Sequence, residues 1–226
     1  METICIALKR PLGEGAGGFN RSLVEGAPVI EGARESGAVA GSLDLVVWPE
    51  TTRTLEPGGR QRRPMPTDWD GFLQFRFEDG QGRRFVDDGP IDLGVDVDAM
   101  AVYAYESKVV AGEPFGVPAG SAKMIALVNR APGVSPAEAV AHHRGDHVAI
   151  AKALGTLYNR YASSGALDPG DDHWDLMVEQ WYDTVGRLSS HIRRHSGTNE
   201  IKGDEAAFVG WLYMYFASEL ALWGPA

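Results

Sequence analysis

Histidine is the side chain whose ordinary pKa suits proton transfer near neutral pH, and all six histidines, His142, His143, His147, His173, His191 and His195, fall in the second half of the chain. His143 and His147 stand four residues apart. On a helix they share a face with Val140, Ile150 and Leu154, an apolar stripe of the kind that packs on a sheet. A histidine so placed is more often a hydrogen-bonded core residue than a catalyst, and the residues alone leave both readings open. His142 and Asp146 project from other faces and are expected to be solvated. The pairs His143/His147 and His191/His195 have the spacing of two metal ligands on one helix, yet neither completes a ligand set. The first lacks the Glu of His-Glu-x-x-His, and Arg193 and Arg194 inside the second would repel a cation. No metal is expected.

Tyr103 with Tyr105, and Tyr213 with Tyr215, alternate along two apolar runs, so each pair shares one sheet face. Barrel core accounts for most of the aromatics. Tyr213, Tyr215, Trp181, Tyr158 and Trp211 are the candidates for lining a ligand cavity, because their half carries the histidines. Gly13-Glu14-Gly15-Ala16-Gly17-Gly18 satisfies G-x-G-x-x-G, but Lys9-Arg10-Pro11-Leu12 separates it from its strand and Glu50 is too far on to hold a ribose. It reads as a turn. The run Arg53–Pro64 is the only basic cluster, a solvated loop unless it folds over a cavity mouth to attract a carboxylate. Asp87, Asp88, Asp92, Asp96 and Asp98 lack a calcium-loop spacing.

The elements that must position these residues repeat along the chain. Ile6-Ala7-Leu8-Lys9-Arg10-Pro11 is echoed by Ile125-Ala126-Leu127 through Arg130-Ala131-Pro132, Trp69-Asp70 by Trp174-Asp175, and Val102-Tyr103-Ala104-Tyr105 by Leu212-Tyr213-Met214-Tyr215, at offsets of 119, 105 and 110. The first half reads as strand Thr3–Lys9, helix Asn20–Glu35, strands Ser42–Trp48 and Asp70–Phe77, a helical stretch within Arg83–Asp98, and strand Met100–Val109. The second reads as strand Met124–Val128, a helix capped by Ser135 with Pro136 and Glu138 and running to Leu154, strands Leu157–Tyr161 and Trp174–Trp181, helix Thr184–Arg194, and strand Ala207–Ala217. The fold class is α+β, with two tandem ferredoxin-like βαββαβ units, 1–110 and 123–226, joined by a Gly/Pro linker at 111–122. With 226 residues and 21 Lys+Arg against 31 Asp+Glu, the net charge is −10, which argues against nucleic-acid and anionic-membrane partners. The short N-terminal apolar run reads as a strand rather than a signal peptide, no stretch reaches the ~20 residues of a membrane helix, and the single Cys5 suits a reducing compartment. Cytoplasm is the expected location.

The second half resembles the EthD-like family of the dimeric α+β barrel superfamily, through Arg130-Ala131-Pro132-Gly133-Val134-Ser135-Pro136-Ala137-Glu138 followed by His142-His143-Arg144-Gly145-Asp146-His147-Val148-Ala149. Where the family pattern has an aromatic pair and a Pro after the histidine, this chain has His142-His143 and Ala149. Glu179-Gln180-Trp181-Tyr182-Asp183 and Asp204–Val209 also resemble the family's third strand and its approach to the last. In the first half the histidine position holds Gly26, so a degenerate site is expected there. The resemblance implies an intramolecular barrel, a pseudo-dimer within one chain, with a further homodimer optional. It makes His147 the leading catalytic residue and His143 its companion. The function it implies is a cofactor-independent acid–base enzyme, of lyase or isomerase type, acting on a small hydrophobic molecule, an aromatic or polyketide-like carbonyl compound. The alternatives are a non-catalytic ligand- or haem-binding protein, with His147 as the axial ligand, and a cofactor-free monooxygenase.

Overall fold

The structure, a computed structural model, describes residues 1–54, 68–116, 120–155, 157–169, 173–195 and 198–224, with backbone only for 48–54 and 195. Most of the Arg53–Pro64 loop, residues 117–119 of the linker and the His195 side chain therefore lie outside the described residues. In the first half the elements are β1 (Glu2–Lys9), α1 (Ala16–Gly26), α2 (Pro28–Glu35), β2 (Ala40–Thr54), β3 (Gly71–Phe77), α3 (Gln81–Asp87) and β4 (Ala99–Gly112). The second half contains β5 (Ala122–Arg130), α4 (Pro136–His142), a π-helical turn (His143–His147), α5 (Val148–Ala153), β6 (Arg160–Ala166), β7 (Leu176–Tyr182), α6 (Val185–His195), α7 (Asn199–Phe208) and β8 (Val209–Trp223).

The eight strands close into one antiparallel barrel in the order β1-β3-β2-β8-β5-β7-β6-β4, with β4 returning to β1. Within the halves the order runs β4-β1-β3-β2 and β8-β5-β7-β6, and the pairs β2/β8 and β4/β6 join them. Strand alternation then assigns every residue to one of two buried faces. Along β5, Met124, Ala126 and Val128 pack under the helices of the second half, while Ile125 and Leu127 join Cys5, Phe72, Tyr105, Met177 and Tyr215 inside the barrel. The first half has its own helix-covered core around Ile4, Ile6, Leu73 and Phe75.

One device recurs at equivalent ends of β1 and β5. Asp70 accepts the Arg10 backbone N–H at 3.1 Å and pairs with its guanidinium at 3.3 Å. Asp175 accepts the Arg130 N–H at 2.9 Å and pairs with that guanidinium too.

Several elements differ from the sequence reading. The helix expected over Asn20–Glu35 is two helices, because the residue before Pro28 is held extended, and Ala27 sits at φ −70°, ψ 114°. The strand expected at Leu157–Tyr161 is β6, which begins only at Arg160 and runs through buried Ser163 and Ser164. Its polar residues hide it from an apolar-run reading. The linker is shorter than 111–122, since β4 stays paired to β6 as far as Gly112, opposite Arg160. A whole helix, α7, precedes a last strand that begins at Val209. Among the described residues, no helix is long and apolar enough to cross a membrane.

Candidate functional site

The site is built on the segment after β5. Ser135 starts α4 with a complete capping box: its Oγ accepts the Glu138 N–H at 3.2 Å, and Glu138 Oε2 accepts the Ser135 N–H at 2.8 Å. The helix then widens into the π turn His143–His147 before α5 resumes, and such turns recur at functional sites. Gly165 on β6 lets this helix settle on the sheet, for a Cβ there would lie 2.7 Å from Val140 Cγ2.

His143 is 2% exposed, with Nδ1 2.9 Å from Ser163 Oγ and Nε2 3.0 Å from the Tyr161 hydroxyl. Burial, and then the neighbouring His147 and Arg144, hold its pKa well below the usual histidine value. Burial likewise pushes the Tyr161 phenol up, so hydroxyl and imidazole both stay uncharged, and the one ring proton is donated to Ser163 or to Tyr161 according to the tautomer. His143 is thus a neutral ring with both nitrogens committed.

His147 lies against it, the ring centroids 5.1 Å apart and the planes 21° from parallel. Its side chain is 12% exposed, and Nδ1 is 2.7 Å from Asp204 Oδ2. A carboxylate oxygen only accepts, so Nδ1 carries the proton and Nε2, paired with no described residue, keeps its lone pair. Burial lowers the His147 pKa while the hydrogen bond to Asp204 opposes that shift, and the net direction is downward. His142, expected in solvent, instead donates Nε2–H to Asp204 Oδ1 at 2.8 Å. One carboxylate on α7 therefore fixes two imidazoles on another helix, and Phe208 packs on both rings at 4.8 and 5.6 Å.

The His143, His147 and Phe208 rings border a cavity of about 90 Å³, partly open to solvent, between the sheet and the helices of the second half. Its walls are mainly apolar, including Met124, Val128, Leu212, Met214, Ile192 and Phe208, and its polar groups are His143, His147, Tyr161, Gln180, His191 and Glu205. His191 is buried against Tyr158 and Tyr182. No group of described residues has the makings of a metal site.

The structure brings His143 and His147 together at this cavity and places the five aromatic candidates elsewhere. Tyr215 is buried inside the barrel with its ring edge on Phe72 at 4.8 Å, and Tyr213 packs beside it at 5.0 Å. Leu212 and Met214, which alternate with them in sequence, face the cavity instead. Trp211 joins the same interior cluster. Trp181 is fully buried inside the barrel, donating Nε1–H to Glu219 at 2.8 Å. Tyr158 stands behind the cavity wall, edge-on to Tyr161. Asp204 and Glu205 were missed as site residues. Only Glu205 has a signal in the sequence, since Ile201, Glu205 and Phe208 recur at helical spacing after the capping residue Thr198; Asp204 lies off that stripe.

Barrel and site together define an eight-stranded antiparallel α+β barrel with an imidazole–carboxylate cavity in one half. No family model and no curated protein matches the chain. Among solved structures, the fold is similar to an anthrone oxidase-like protein, at 12% identity over 98% of this chain and 93% of that one, with a TM-score of 0.58. It is also similar to a dye-decolorizing peroxidase from Bacteroides thetaiotaomicron, at 9% identity over 96% and 92% with TM-score 0.54. A haem-binding protein from Thermus thermophilus aligns at 11% identity over 97% and 91% with TM-score 0.51.

The last neighbour corrects the expectation of a protein without a cofactor: a barrel of this shape is built into a haem-binding protein, and haem becomes the group to test. The residues meet it only in part. An imidazole with a carboxylate behind it and a lone pair on its far nitrogen is the donor set of an axial ligand, and His147 with Asp204 supplies it. The space does not match a porphyrin, because the cavity holds about 90 Å³ where ordinary ligand pockets hold ~300–1,000 Å³. Nor does a described Lys or Arg line it to meet the propionates. The residues fit the iron and not the ring.

Proposed function

We propose that this is an α+β-barrel enzyme in which His147, oriented by Asp204, moves a proton on a small apolar carbonyl compound seated between sheet and helices of the second half. The observation that carries the reading is the 2.7 Å contact from His147 Nδ1 to Asp204, which leaves Nε2 as the basic nitrogen at an apolar cavity. A neutral imidazole there takes a proton α to a carbonyl and returns it at another atom with little loss of driving force. Isomerisation, cyclisation, dehydration and decarboxylation all rest on that transfer, which is the lyase or isomerase chemistry that the EthD-like resemblance implies. The cavity limits the enclosed part of the substrate to about one ring, so a multi-ring polyketide would extend into solvent. His143, both nitrogens engaged, positions His147 rather than sharing its proton.

We also read the two halves as copies of one ferredoxin-like unit forming a pseudo-dimer, a reading supported by the matching strand orders and the paired Arg10–Asp70 and Arg130–Asp175 contacts. Only the second copy keeps imidazoles.

The test is a screen of single-ring aromatic ketones followed by absorbance, with His147→Ala as the comparison. Turnover should fall by about 10²–10⁴-fold with the fold retained; unchanged turnover removes His147 from the chemistry. A second reading, haem held by His147, is favoured by the carboxylate-backed imidazole. Adding haem to the same two proteins decides it, because a Soret shift present in the wild type and lost in His147→Ala would establish axial ligation.

A further inference from the structure

The polar groups on the cavity wall differ in what they have left to give. His147 spends its Nδ1–H on Asp204 and keeps a lone pair at Nε2, and His143 has Ser163 and Tyr161 on its two nitrogens. Gln180 is different. It is 4% exposed and borders the cavity from β7, on the strand face that also carries Val178 and Tyr182. Its Oε1 accepts the Tyr182 O–H at 2.5 Å, and burial raises the Tyr182 pKa so that this phenol keeps the proton it donates. The contact fixes which end of the amide is oxygen and which is nitrogen. Burial is the main influence on the Tyr161 phenol, raising its pKa, while Gln180 acts in the opposite sense, as an N–H donor beside a hydroxyl does. An amide nitrogen carries two N–H bonds. The Tyr161 oxygen can take one, and no other described residue takes the second.

We infer that Gln180 Nε2 is the hydrogen-bond donor to the carbonyl oxygen of the compound in this cavity, so that the site prefers a neutral acceptor oxygen to a hydrocarbon of the same shape. The inference rests on the proposed function for the ligand's being a carbonyl compound. An acceptor buried among apolar walls without a donor is costly, and Gln180 removes that cost. When His147 Nε2 takes the proton α to the carbonyl, the C–H pair becomes the new carbon–carbon π bond and the carbonyl π pair moves onto oxygen. Gln180 holds that negative oxygen without giving up its own proton, and the imidazolium returns the first proton to another atom of the same substrate. Because Tyr182 already fixes the amide, the donor is in place before charge develops.

Acetophenone and α-methylstyrene, in which a methylene replaces the carbonyl oxygen, test this on the full-length protein. The carbonyl stretch of bound, isotopically labelled acetophenone, read by infrared difference spectroscopy, should lie below its value in hexane in the wild type and return toward that value in Gln180→Met. Between the same two proteins, the ratio of the acetophenone Kd to the α-methylstyrene Kd should rise by about 2–10-fold, the range of one net hydrogen bond. A wild-type stretch at the hexane value overturns the inference, as does failure of acetophenone to bind. A shift that survives Gln180→Met also overturns it, because the oxygen then belongs to another donor such as Tyr161 or His191. Should Gln180→Met not fold, Tyr182→Phe takes its place: the amide loses its fixed orientation, the stretch should rise toward the hexane value, and an unchanged stretch overturns the inference. In His147→Ala the shift should persist while turnover is lost, so the anchoring of the oxygen and the proton transfer can each fail alone.

Discussion

At the scale of the residue, Asp204 does most to define the site. Its two oxygens set the tautomers of His142 and His147, and its hydrogen bond is the influence that raises the His147 pKa against burial. Replacing it with Asn removes that support, so the His147 pKa should fall further. In the proposed mechanism the basic form of His147 is the active one, so the acid limb of kcat/KM should then lie at lower pH in Asp204→Asn than in the wild type, and the plateau should drop as the ring loses its orientation. A pH–rate profile checks this, and a limb that stays put or moves upward would separate Asp204 from the chemistry. His143 and His147 are legible in the sequence because a four-residue spacing on a helix means one face. Asp204 is not, because its partner lies 57 residues away on a different helix, and α7 itself merges in sequence with the approach to the last strand. The tyrosines show a different limit. Alternation correctly pairs Tyr213 with Tyr215, but in a strand buried on both faces it carries no sign of which face is which.

At the scale of the element, the helix that bears the imidazoles depends on two contacts with different visibility. The Ser135/Glu138 capping box can be read from residue types, since capping needs only local spacing. The docking of that helix on β6 cannot, since it depends on Gly165 standing opposite Val140, and the apolar pattern places β6 several residues too early. Gly165→Ala would set a Cβ 2.7 Å from a stiff, β-branched methyl and push α4 off the sheet. The expected cost is about 1–3 kcal/mol, the usual range for overpacking, read as a lower urea midpoint. The His143 Nδ1 contact with Ser163 should loosen with it, so that the histidine NMR resonances titrate closer to the ordinary value. A glycine substitution with unchanged stability and unchanged histidine titration would show that the close approach is not what holds the helix.

At the scale of the whole molecule, the repeated order of apolar runs announces two similar halves, but nothing in it announces what their closure encloses. Lys123 Nζ, fully buried, lies 2.9 Å from Asp44, 2.7 Å from Glu179 and 3.0 Å from Glu219, and 4.7 Å from the Trp181 ring centre. In sequence each of these charges stands alone in an apolar strand and carries no sign of its partners; only the closed barrel brings β2 of the first half against β5, β7 and β8 of the second. Burial pulls the Lys123 pKa down, but the three carboxylates outweigh it and lift it above the usual value. Burial pushes Asp44 the other way for an acid, up to about 7 against an ordinary 3.8. An acid raised in the fold contributes stability below its unfolded value, and that contribution is lost as pH rises through about 7. Lys123→Met should expose this arrangement, because it takes from three buried carboxylates the cation that they share and leaves Arg76, 3.7 Å from Glu179, to face them. We expect a loss of about 3–5 kcal/mol, the range for breaking a buried ion pair from one side. The loss should be larger at pH 8 than at pH 5, since protons taken up by the orphaned acids at lower pH relieve the repulsion. Urea unfolding at the two pH values checks both the size and the sign. A midpoint insensitive to the substitution, or a loss that grows as pH falls, would mean that water reaches these charges and that the two halves are held together by their strand pairing and apolar interior alone.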